Sequence, residues 1–511
     1  MIADELQMRI HSAFRFQPTA EQQQAIETFS MFMTDRLEHA AMVMRGCAGT
    51  GKTTLAAAIV KAMVSLGQKL VLMAPTGRAA KVFSLYAGHA AYTIHRRIYR
   101  QKSLEGSFDL NYNNASDTLF IVDEASMISD SPATDSSLFT HYSSILDDLI
   151  RFVYNGRNCR LMLIGDRAQL PPVGETESPA LMPDVLSSYG LHVHECDLNE
   201  VLRQSAESGI LWNATQIREG LLTGGQTPCE APLTEGLSPC EFPVSLPKIQ
   251  FNGFPDIRNV PGDELIESLA TSYSRVGLDE TMVVTRSNKR ANIYNQGIRS
   301  QVLGREDELC TGDLLMIVKN NYYWNANDND NANGNANLNA NLNGNDKANH
   351  SPLDFIANGD RAVVRRVRNI HEQYGFHFAE VTMTFPDYDD YELTALTLLD
   401  TLTSEAPALT RDQQELLFNK VMEDNADIPH KADRLKKVKE DRYYNALQVK
   451  FAYAATCHKA QGGQWAHIYV DQGYMTDDML TPDYLHWLYT AFTRATERLF
   501  LVNWPKTQIQ D

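Results

Sequence analysis

The chain has 511 residues, a formal net charge of -18 at pH 7 and 43% hydrophobic residues. This length allows about two to four domains, each with its own core. The acidic balance argues against a protein that coats nucleic acid, because phosphate binding draws on Lys and Arg, but it leaves room for a narrow basic channel.

Cysteine usage and the first residues bear on the cell compartment. The seven cysteines are scattered, with no C-x-x-C pair and no His/Cys pair at zinc spacing, which predicts reduced thiols and no structural metal. Residues 1–14 lack the apolar core of a secretory leader, and no apolar run approaches the length of a bilayer span. We therefore expect a cytoplasmic protein without a membrane partner, and we expect it to be a monomer.

The first predicted helix begins after Pro18 and Thr19 and continues to about Arg36. Gln22 lies on its first turns. Taken alone, Gln22 is a surface residue. An amide offers both a donor and an acceptor, however, which suits the edge of an adenine if a phosphate loop follows.

Residues 46–53 fit the pattern G-x-x-x-x-G-K-[ST], with an apolar run before them and a helix-favouring run after them. Glycines let backbone N–H groups wrap around phosphate oxygens at a helix N-terminus, Lys52 can reach the β- and γ-phosphates, and Thr53 can ligate Mg2+. The segment therefore predicts nucleotide binding. Its binding residues are Gly46, Gly49, Thr50, Gly51, Lys52 and Thr53.

Polar segments follow the next predicted strand, 70–74. Residues 75–81 open a helix, and small or hydroxyl side chains at such a strand end can contact a sugar-phosphate backbone, although an ordinary turn explains them better when they are taken alone. Residues 93–97 form a polar cluster with an apolar centre. Residues 99–117 are polar and predict a small hairpin that projects from the sheet.

Two apolar strands end in residues with the chemistry of nucleotide hydrolysis. The strand at 118–122 ends in Asp123, which is placed to hold Mg2+, and Glu124, which is placed to polarise the attacking water. The strand at 161–164 precedes residues 165–173, where Gln169 can sense the γ-phosphate. Strands that alternate with helices in this way predict a parallel, doubly wound sheet.

The second half predicts another α/β unit, which is interrupted. Residues 325–345 carry Asn at every odd position without an apolar face, which predicts a disordered loop. Strand-like runs around that loop indicate a small β-barrel, and residues 387–441 are charged and predict a helical insertion. The strands of the α/β unit resume after residue 451.

Nine segments carry a family resemblance when they are taken together in order. They are the glutamine segment, the phosphate loop, APTGRAA, TIH, DEAS, GDRAQLPPVG, LRQ, THKAQGG and YTAFTRA. The set resembles superfamily 1B DNA helicases of the RecD/Dda type. The resemblance implies an α/β fold with two RecA-like P-loop domains, each with a parallel sheet, plus a small SH3-like β-barrel insertion and a helical insertion.

The resemblance also implies domain limits. The first motor domain would span 1–207, with the pin-like hairpin at 99–117. The second would combine 208–311 with 452–511. The SH3-like accessory domain would span 312–451 and would contain the disordered Asn-rich loop 321–352 and the helical insertion 387–441.

Residue roles follow from the matching motifs. Gln22 would bind adenine, and the phosphate loop with Asp123 would hold ATP and Mg2+. The catalytic residues would be Glu124, Gln169 and two arginine fingers, Arg203 and Arg494. The residues that would line a single-strand DNA channel are Thr76, Arg78, Thr93, His95, Thr456, His458, Lys459 and Gln461.

The resemblance implies an ATP-dependent helicase that moves 5′ to 3′ on single-stranded DNA and acts at single-strand/duplex junctions, with repair or recombination proteins as partners. Two alternatives stay open. One is an RNA-directed superfamily 1 helicase, since the motor motifs do not distinguish the sugar. The other is a DNA-stimulated ATPase switch with little unwinding.

Overall fold

The structure is a computed structural model that describes residues 2–101, 108–132, 143–201, 207–222, 248–321, 323–324, 356–475, 479 and 481–510. Several sequence predictions fall outside these ranges. They are the arginine finger Arg203, the tip of the predicted hairpin and nearly all of the Asn-rich loop.

Some helices, such as α2 and α3, begin close to the positions that the sequence predicts, whereas it does not predict α1, α6 or α7. Helix α2, for example, starts at a capping box in which Thr19 and Gln22 satisfy each other's backbone N–H groups. The helices are α1 (Ile2–Ala13), α2 (Ala20–Thr34), α3 (Lys52–Ser65), α4 (Gly77–Ala87), α5 (Ile94–Ile98), α6 (Ile145–Tyr154), α7 (Pro183–Ser188), α8 (Gly209–Leu222), α9 (Leu265–Val276), α10 (Asn288–Gly297), α11 (Arg411–Asp424), α12 (Lys431–Lys439), α13 (Cys457–Ala460) and α14 (Pro482–Phe492).

The strands belong to two parallel sheets, a barrel and two short pairs. They are β1 (Ala40–Gly46), β2 (Lys69–Ala74), β3 (Ala91–Thr93), β4 (Tyr99–Gln101), β5 (Phe108–Leu110), β6 (Thr118–Val122), β7 (Arg160–Gly165), β8 (His192–Leu198), β9 (Ile249–Gln250), β10 (Ile257–Val260), β11 (Thr281–Thr285), β12 (Leu314–Ile317), β13 (Arg361–Gln373), β14 (Phe376–Phe385), β15 (Tyr391–Leu398), β16 (Leu447–Phe451), β17 (Ala454–Thr456), β18 (Trp465–Asp471), β19 (Ala495–Val502) and β20 (Ile509–Gln510).

The first sheet has six parallel strands in the order β3-β2-β6-β7-β1-β8. Its strands β1 and β6 are buried along their whole length, because helices cover both faces of a parallel sheet. Phe29, Phe32, Met42 and Ile59 belong to the core on one of these faces. The phosphate loop follows β1, and the two carboxylates follow β6, so both reach the same edge of the sheet.

The second sheet has five parallel strands in the order β10-β19-β18-β11-β17. Helix α14 leads into β19, and α13 follows β17. Its strands β11 and β18 are buried throughout. The two parallel sheets confirm the predicted α/β fold class with two RecA-like domains.

Strands β12 to β16 close into a five-stranded barrel, in agreement with the predicted SH3-like insertion. Helices α11 and α12 pack on it through Leu417, Val421 and Val438, which share a core with Phe378 and Leu398 of the barrel. Helix α11 starts at a capping box of Thr410 and Gln413, as their spacing predicts.

The start of the predicted helical insertion, 387–441, is wrong. Residues 391–398 form the barrel strand β15, in which half-buried and exposed residues alternate with a buried one at the start and the last four residues are buried. The charged turn before that strand hides the alternation in the sequence. The helical part begins at Arg411.

The chain divides into two compact units. One contains both parallel sheets and comprises 1–98, 110–303 and 453–511, and the other contains the barrel and comprises 99–109 and 304–452. The predicted hairpin is present as the strand pair β4 and β5, while residues 111–117 form no strand. Among the described residues, no helix is long and apolar enough to cross a membrane.

Candidate nucleotide and nucleic-acid sites

The phosphate loop joins β1 to α3 through a left-handed turn. Gly51 precedes α3 with φ of 79°, a conformation that glycine adopts without strain. A Cβ on Gly46 would lie 2.7 Å from Cγ of Lys52, so this glycine makes room for the lysine. The Lys52 ammonium donates to the carbonyl oxygens of Gly46 and Cys47. The loop's own carbonyls therefore hold the ammonium where it borders the cavity described below.

Gln22 is buried and lies against this loop. Its Nε2 donates to the carbonyl of Thr50 at 2.9 Å, and its Oε1 accepts from the backbone N–H of Thr19 at 3.0 Å. Both ends of the amide thus have partners within the protein. Gln22 ties α2 to the phosphate loop, and its contact with adenine stays a prediction.

The two carboxylates after β6 have different surroundings. Burial and the neighbouring Glu124 raise the pKa of Asp123 to about 7, and its Oδ1 accepts from the backbone N–H of Glu124 at 2.8 Å. Glu124 has φ of 53°, a left-handed conformation that is uncommon for a residue with a side chain and that occurs at functional sites. A buried carboxyl group that resists ionisation favours a bound cation, which would stabilise its charge.

Arg494, which directly precedes strand β19 of the second sheet, lies next to these carboxylates. Its side chain is 2% exposed, and its Nη1 lies 3.8 Å from Oε1 of Glu124. The guanidinium also donates to the carbonyls of Thr490 and Gly463. A guanidinium in this position can stabilise negative charge that develops next to Glu124.

Tyr489, on α14, makes a second link between the sheets. Its hydroxyl donates to Oδ2 of Asp166 at 2.6 Å and accepts from the backbone N–H of Ala48 at 2.8 Å. Asp166 Oδ2 lies 3.9 Å from Nζ of Lys52. One residue along, Thr490 accepts from the N–H of Leu170 at 2.7 Å. Helix α14 therefore contacts both the phosphate loop and the segment after β7.

These elements surround one cavity of about 360 Å³. The phosphate loop, the two carboxylates and Gln169 line it from the first sheet, and Gly462, Gln464 and residues 493–496 line it from the second. Gln169 is buried. Of the predicted catalytic residues that the structure describes, Glu124, Gln169 and Arg494 all border this cavity.

The predicted DNA residues of the first sheet mostly have partners inside the protein. Thr76 caps α4 by accepting from the N–H of Ala79, and Thr93 accepts from the N–H of Arg96. Burial lowers the pKa of His95 to about 4, so its ring is neutral at pH 7. Their contact with DNA stays a prediction.

The side chain of Arg78 contacts residues of the second sheet. Its guanidinium lies 4.6 Å from the ring centre of Trp465 and 3.6 Å from Oε1 of Glu280, and it donates to the carbonyl of Gln464. This arrangement makes Arg78 a contact between the two sheets. A role toward DNA stays a prediction.

The second-sheet residues of the predicted channel lie on and beside α13. Thr456 precedes the helix, and His458 lies on it. His458 is exposed as a whole residue, but neighbouring groups exclude water from part of its ring, which lowers its pKa. Gln461 is buried and donates to the carbonyl of Leu170 at 2.7 Å. Lys459 differs from the others, because its buried Nζ has no hydrogen-bond partner within the part of the chain that the structure describes, and burial lowers its pKa to about 8.

Two family models match the chain. Residues 17–226 match the AAA domain, and residues 451–502 match the UvrD-like helicase C-terminal domain. The ATP-dependent RecD2 DNA helicase of Deinococcus radiodurans is 32% identical over 193 residues, which are 36% of this chain and 22% of that protein. The ATP-dependent DNA helicase Dda of Enterobacteria phage T4 is 25% identical over 293 residues, which are 54% of this chain and 56% of that protein.

The chain is similar in sequence to the RecD2 and Dda helicases over these ranges. The resemblance predicted from the motifs is thereby confirmed. The chain spans about a fifth and about half of the length of these two relatives. Among solved structures, the Pif1 helicase from Bacteroides in complex with ADP-AlF3 and ssDNA is 14% identical, with a TM-score of 0.44 over 97% of this chain and 95% of that chain.

Sequence reasoning missed two residues that lie at this cavity's phosphate loop. Asp166 and Tyr489 both lie inside segments that carry the family resemblance, yet neither received a role. The signal was available in Asp166, a carboxylate at a strand end that faces a phosphate loop. It was not available in Tyr489, because only the folded chain brings its hydroxyl to the loop that lies 441 residues away.

Proposed function

We propose that the chain is an ATP-dependent motor that moves 5′ to 3′ on single-stranded DNA and separates duplex DNA. One observation carries the proposal: Arg494, next to the second sheet, faces Glu124 of the first sheet in one cavity, and Tyr489 of α14 bonds to the phosphate loop. Such an arrangement makes hydrolysis depend on closure of two sheets, which is what a motor needs. The names of the two relatives, both ATP-dependent DNA helicases, support it.

The residues present fit MgATP. The loop offers N–H groups and Lys52 to phosphates, and Thr53 with Asp123 would hold Mg2+. The pKa of Asp123 near 7 supports a cation at that point. Bound MgATP supplies the γ-phosphoryl group that is transferred to water.

Different residues of the chain have different roles in hydrolysis. Glu124 accepts a hydrogen bond from the attacking water and orients it, because its carboxylate borders the cavity. Arg494 stabilises the charge that develops on the phosphoryl oxygens. Gln169 and Gln461 link the cavity to the expected DNA channel, since Gln461 donates to the carbonyl of Leu170, next to Gln169.

Lys459 supports a nucleic-acid partner. Burying an ammonium group without a hydrogen-bond partner costs free energy unless an anion binds to it. A phosphate of the nucleic-acid backbone would be such an anion. The expected channel combines this charge with polar contacts that do not distinguish bases, as sequence-tolerant binding of single strands requires. A cytoplasmic location and partners in repair or recombination remain part of the proposal.

The proposal is tested by unwinding of partial duplexes with a 5′ or a 3′ single-stranded tail, together with ATP hydrolysis measured with no nucleic acid, with DNA and with RNA. We expect DNA-stimulated hydrolysis and unwinding of the 5′-tailed substrate, and neither activity in Lys52→Ala. Hydrolysis that DNA does not stimulate would overturn the motor. Stimulation without strand separation would indicate a switch, and stronger stimulation by RNA would indicate an RNA helicase.

A further inference from the structure

Three side chains that can ligate a transition metal meet at one corner of the first sheet. They are Asp35, His192 and His194, and one ligand atom from each lies within 4.8 Å of the other two. The cluster stands at the amino end of β8. The phosphate loop is at the other end of that strand, where Cys47 donates its backbone N–H to Leu198 at 3.3 Å.

The local fold explains why these residues meet. Alternate residues of a strand point to the same face, so His192 and His194 share the face of β8 that buries Cys196 and Leu198 farther along. Helix α2 packs on that face and ends at Thr34. Asp35, the residue after α2, therefore arrives beside the two imidazoles.

The carboxylate of Asp35 is oriented toward both rings. Its Oδ2 lies 2.7 Å from Nε2 of His194 and 3.2 Å from Nδ1 of His192, while its Oδ1 accepts from the N–H of Leu37 at 2.9 Å. One carboxylate oxygen is thus held in place by the backbone while the other faces the imidazoles, as in sites where surrounding groups fix a metal ligand.

We propose that Asp35, His192 and His194 bind a divalent transition ion of the zinc class. Two imidazole nitrogens and one carboxylate oxygen are ligands that suit Zn2+ or Co2+ and that disfavour Mg2+, which prefers oxygen. Ligand atoms around such an ion stand about 3.3 Å apart, so small side-chain rotations complete the site. His192 is 50% exposed, which leaves a coordination position for water.

The guanidinium of Arg160 lies beside the cluster. Arg160 donates to the backbone carbonyls of Phe32 and Asp35, and its guanidinium packs over the Phe32 ring. Because its N–H groups are directed to those carbonyls, they leave Oδ2 of Asp35 to the ion. The bound ion would join the end of α2 to the start of β8. This differs from the sequence expectation of no structural metal, which considered only cysteine-containing patterns.

The test uses the full chain, freed of any histidine tag and of metal, and titrated with Co2+ and with Zn2+. We expect one Co2+ per chain with visible d–d absorption, competition by Zn2+, and a rise in Tm of about 2.5 °C at a hundredfold excess of Zn2+ over Kd. His192→Ala and Asp35→Asn should each raise the Kd about tenfold or more. His39→Ala is the matched control, because His39 is exposed and near the cluster but outside the ligand set.

Two results would overturn the site. One is no saturable Co2+ binding to the wild-type chain. The other is binding that His192→Ala and Asp35→Asn leave unchanged, since the ion would then sit elsewhere, for example on cysteines. His192 is half exposed, so its variant is expected to fold, and circular dichroism checks that it does.

Discussion

Removal of one hydroxyl, by Tyr489→Phe, tests whether α14 couples the second sheet to the phosphate loop. The hydroxyl group is the only part of the side chain that is removed, and Tyr489 is 1% exposed. The variant loses the hydrogen bond to Asp166 and the one from Ala48. The ring still fills its place in the core, so the change is confined to this link.

The free-energy cost of the substitution follows from the two hydrogen-bond partners of the hydroxyl. A hydrogen bond to a charged group contributes about 1.5–3 kcal/mol, and one between neutral groups about 1 kcal/mol. Asp166 keeps the N–H of Ala168 on its other oxygen and Lys52 at 3.9 Å, which offsets part of the loss. We expect a net cost to the closed arrangement of about 2 kcal/mol, or a fall in kcat of about 30-fold.

The assay separates turnover from binding. Steady-state ATPase kinetics with saturating single-stranded DNA give kcat, and a fluorescent ADP analogue gives nucleotide Kd. We expect Kd to change less than about threefold, because Lys52 and the loop glycines are untouched. Tyr484→Phe, on the same helix, is the control, since its hydroxyl donates to Gln472 and not to the loop. A wild-type kcat in Tyr489→Phe, or an equal loss in Tyr484→Phe, would refute the coupling.

Three further predictions concern charged groups. Asp123, with its pKa raised to about 7, must lose its proton before it holds Mg2+. MgADP affinity should therefore rise about tenfold per pH unit up to pH 7 and level off above it, whereas Asp123→Asn should be insensitive to pH; a flat wild-type profile by calorimetry would contradict this. Lys459→Met should weaken binding of single-stranded DNA in fluorescence anisotropy and reduce the salt slope by about 0.7, and wild-type binding should weaken between pH 7 and 9 because the pKa of Lys459 is lowered to about 8. An unchanged slope would remove Lys459 from the channel. Arg494→Ala should spare nucleotide binding and lower kcat about a thousandfold, with Tm measured because Arg494 also holds two backbone carbonyls; full turnover would exclude it as a finger.

Local sequence patterns predicted much of the fold because they are set by neighbours in the chain. The phosphate loop is one such pattern, since glycine spacing and the following helix fix its backbone whatever lies elsewhere. The start of α2 after Thr19 is another. Strand β15 shows the limit, because a charged turn before it concealed a barrel strand whose partners, β14 and β16, lie on either side in the chain.

The sequence by itself determined the turn and the helix of the phosphate loop at residues 46–53 and predicted the two parallel sheets. Motif order sufficed for this, because each motif is a local arrangement of backbone and side chains. Only the tertiary structure decided which partners each side chain takes. It directed Gln22 to Thr50 and Arg78 to Trp465, and it joined Tyr489 to Ala48 and Asp35 to two histidines. Such pairings depend on how helices and strands far apart in the chain pack. The spacing of residues along the sequence does not show which of them come into contact.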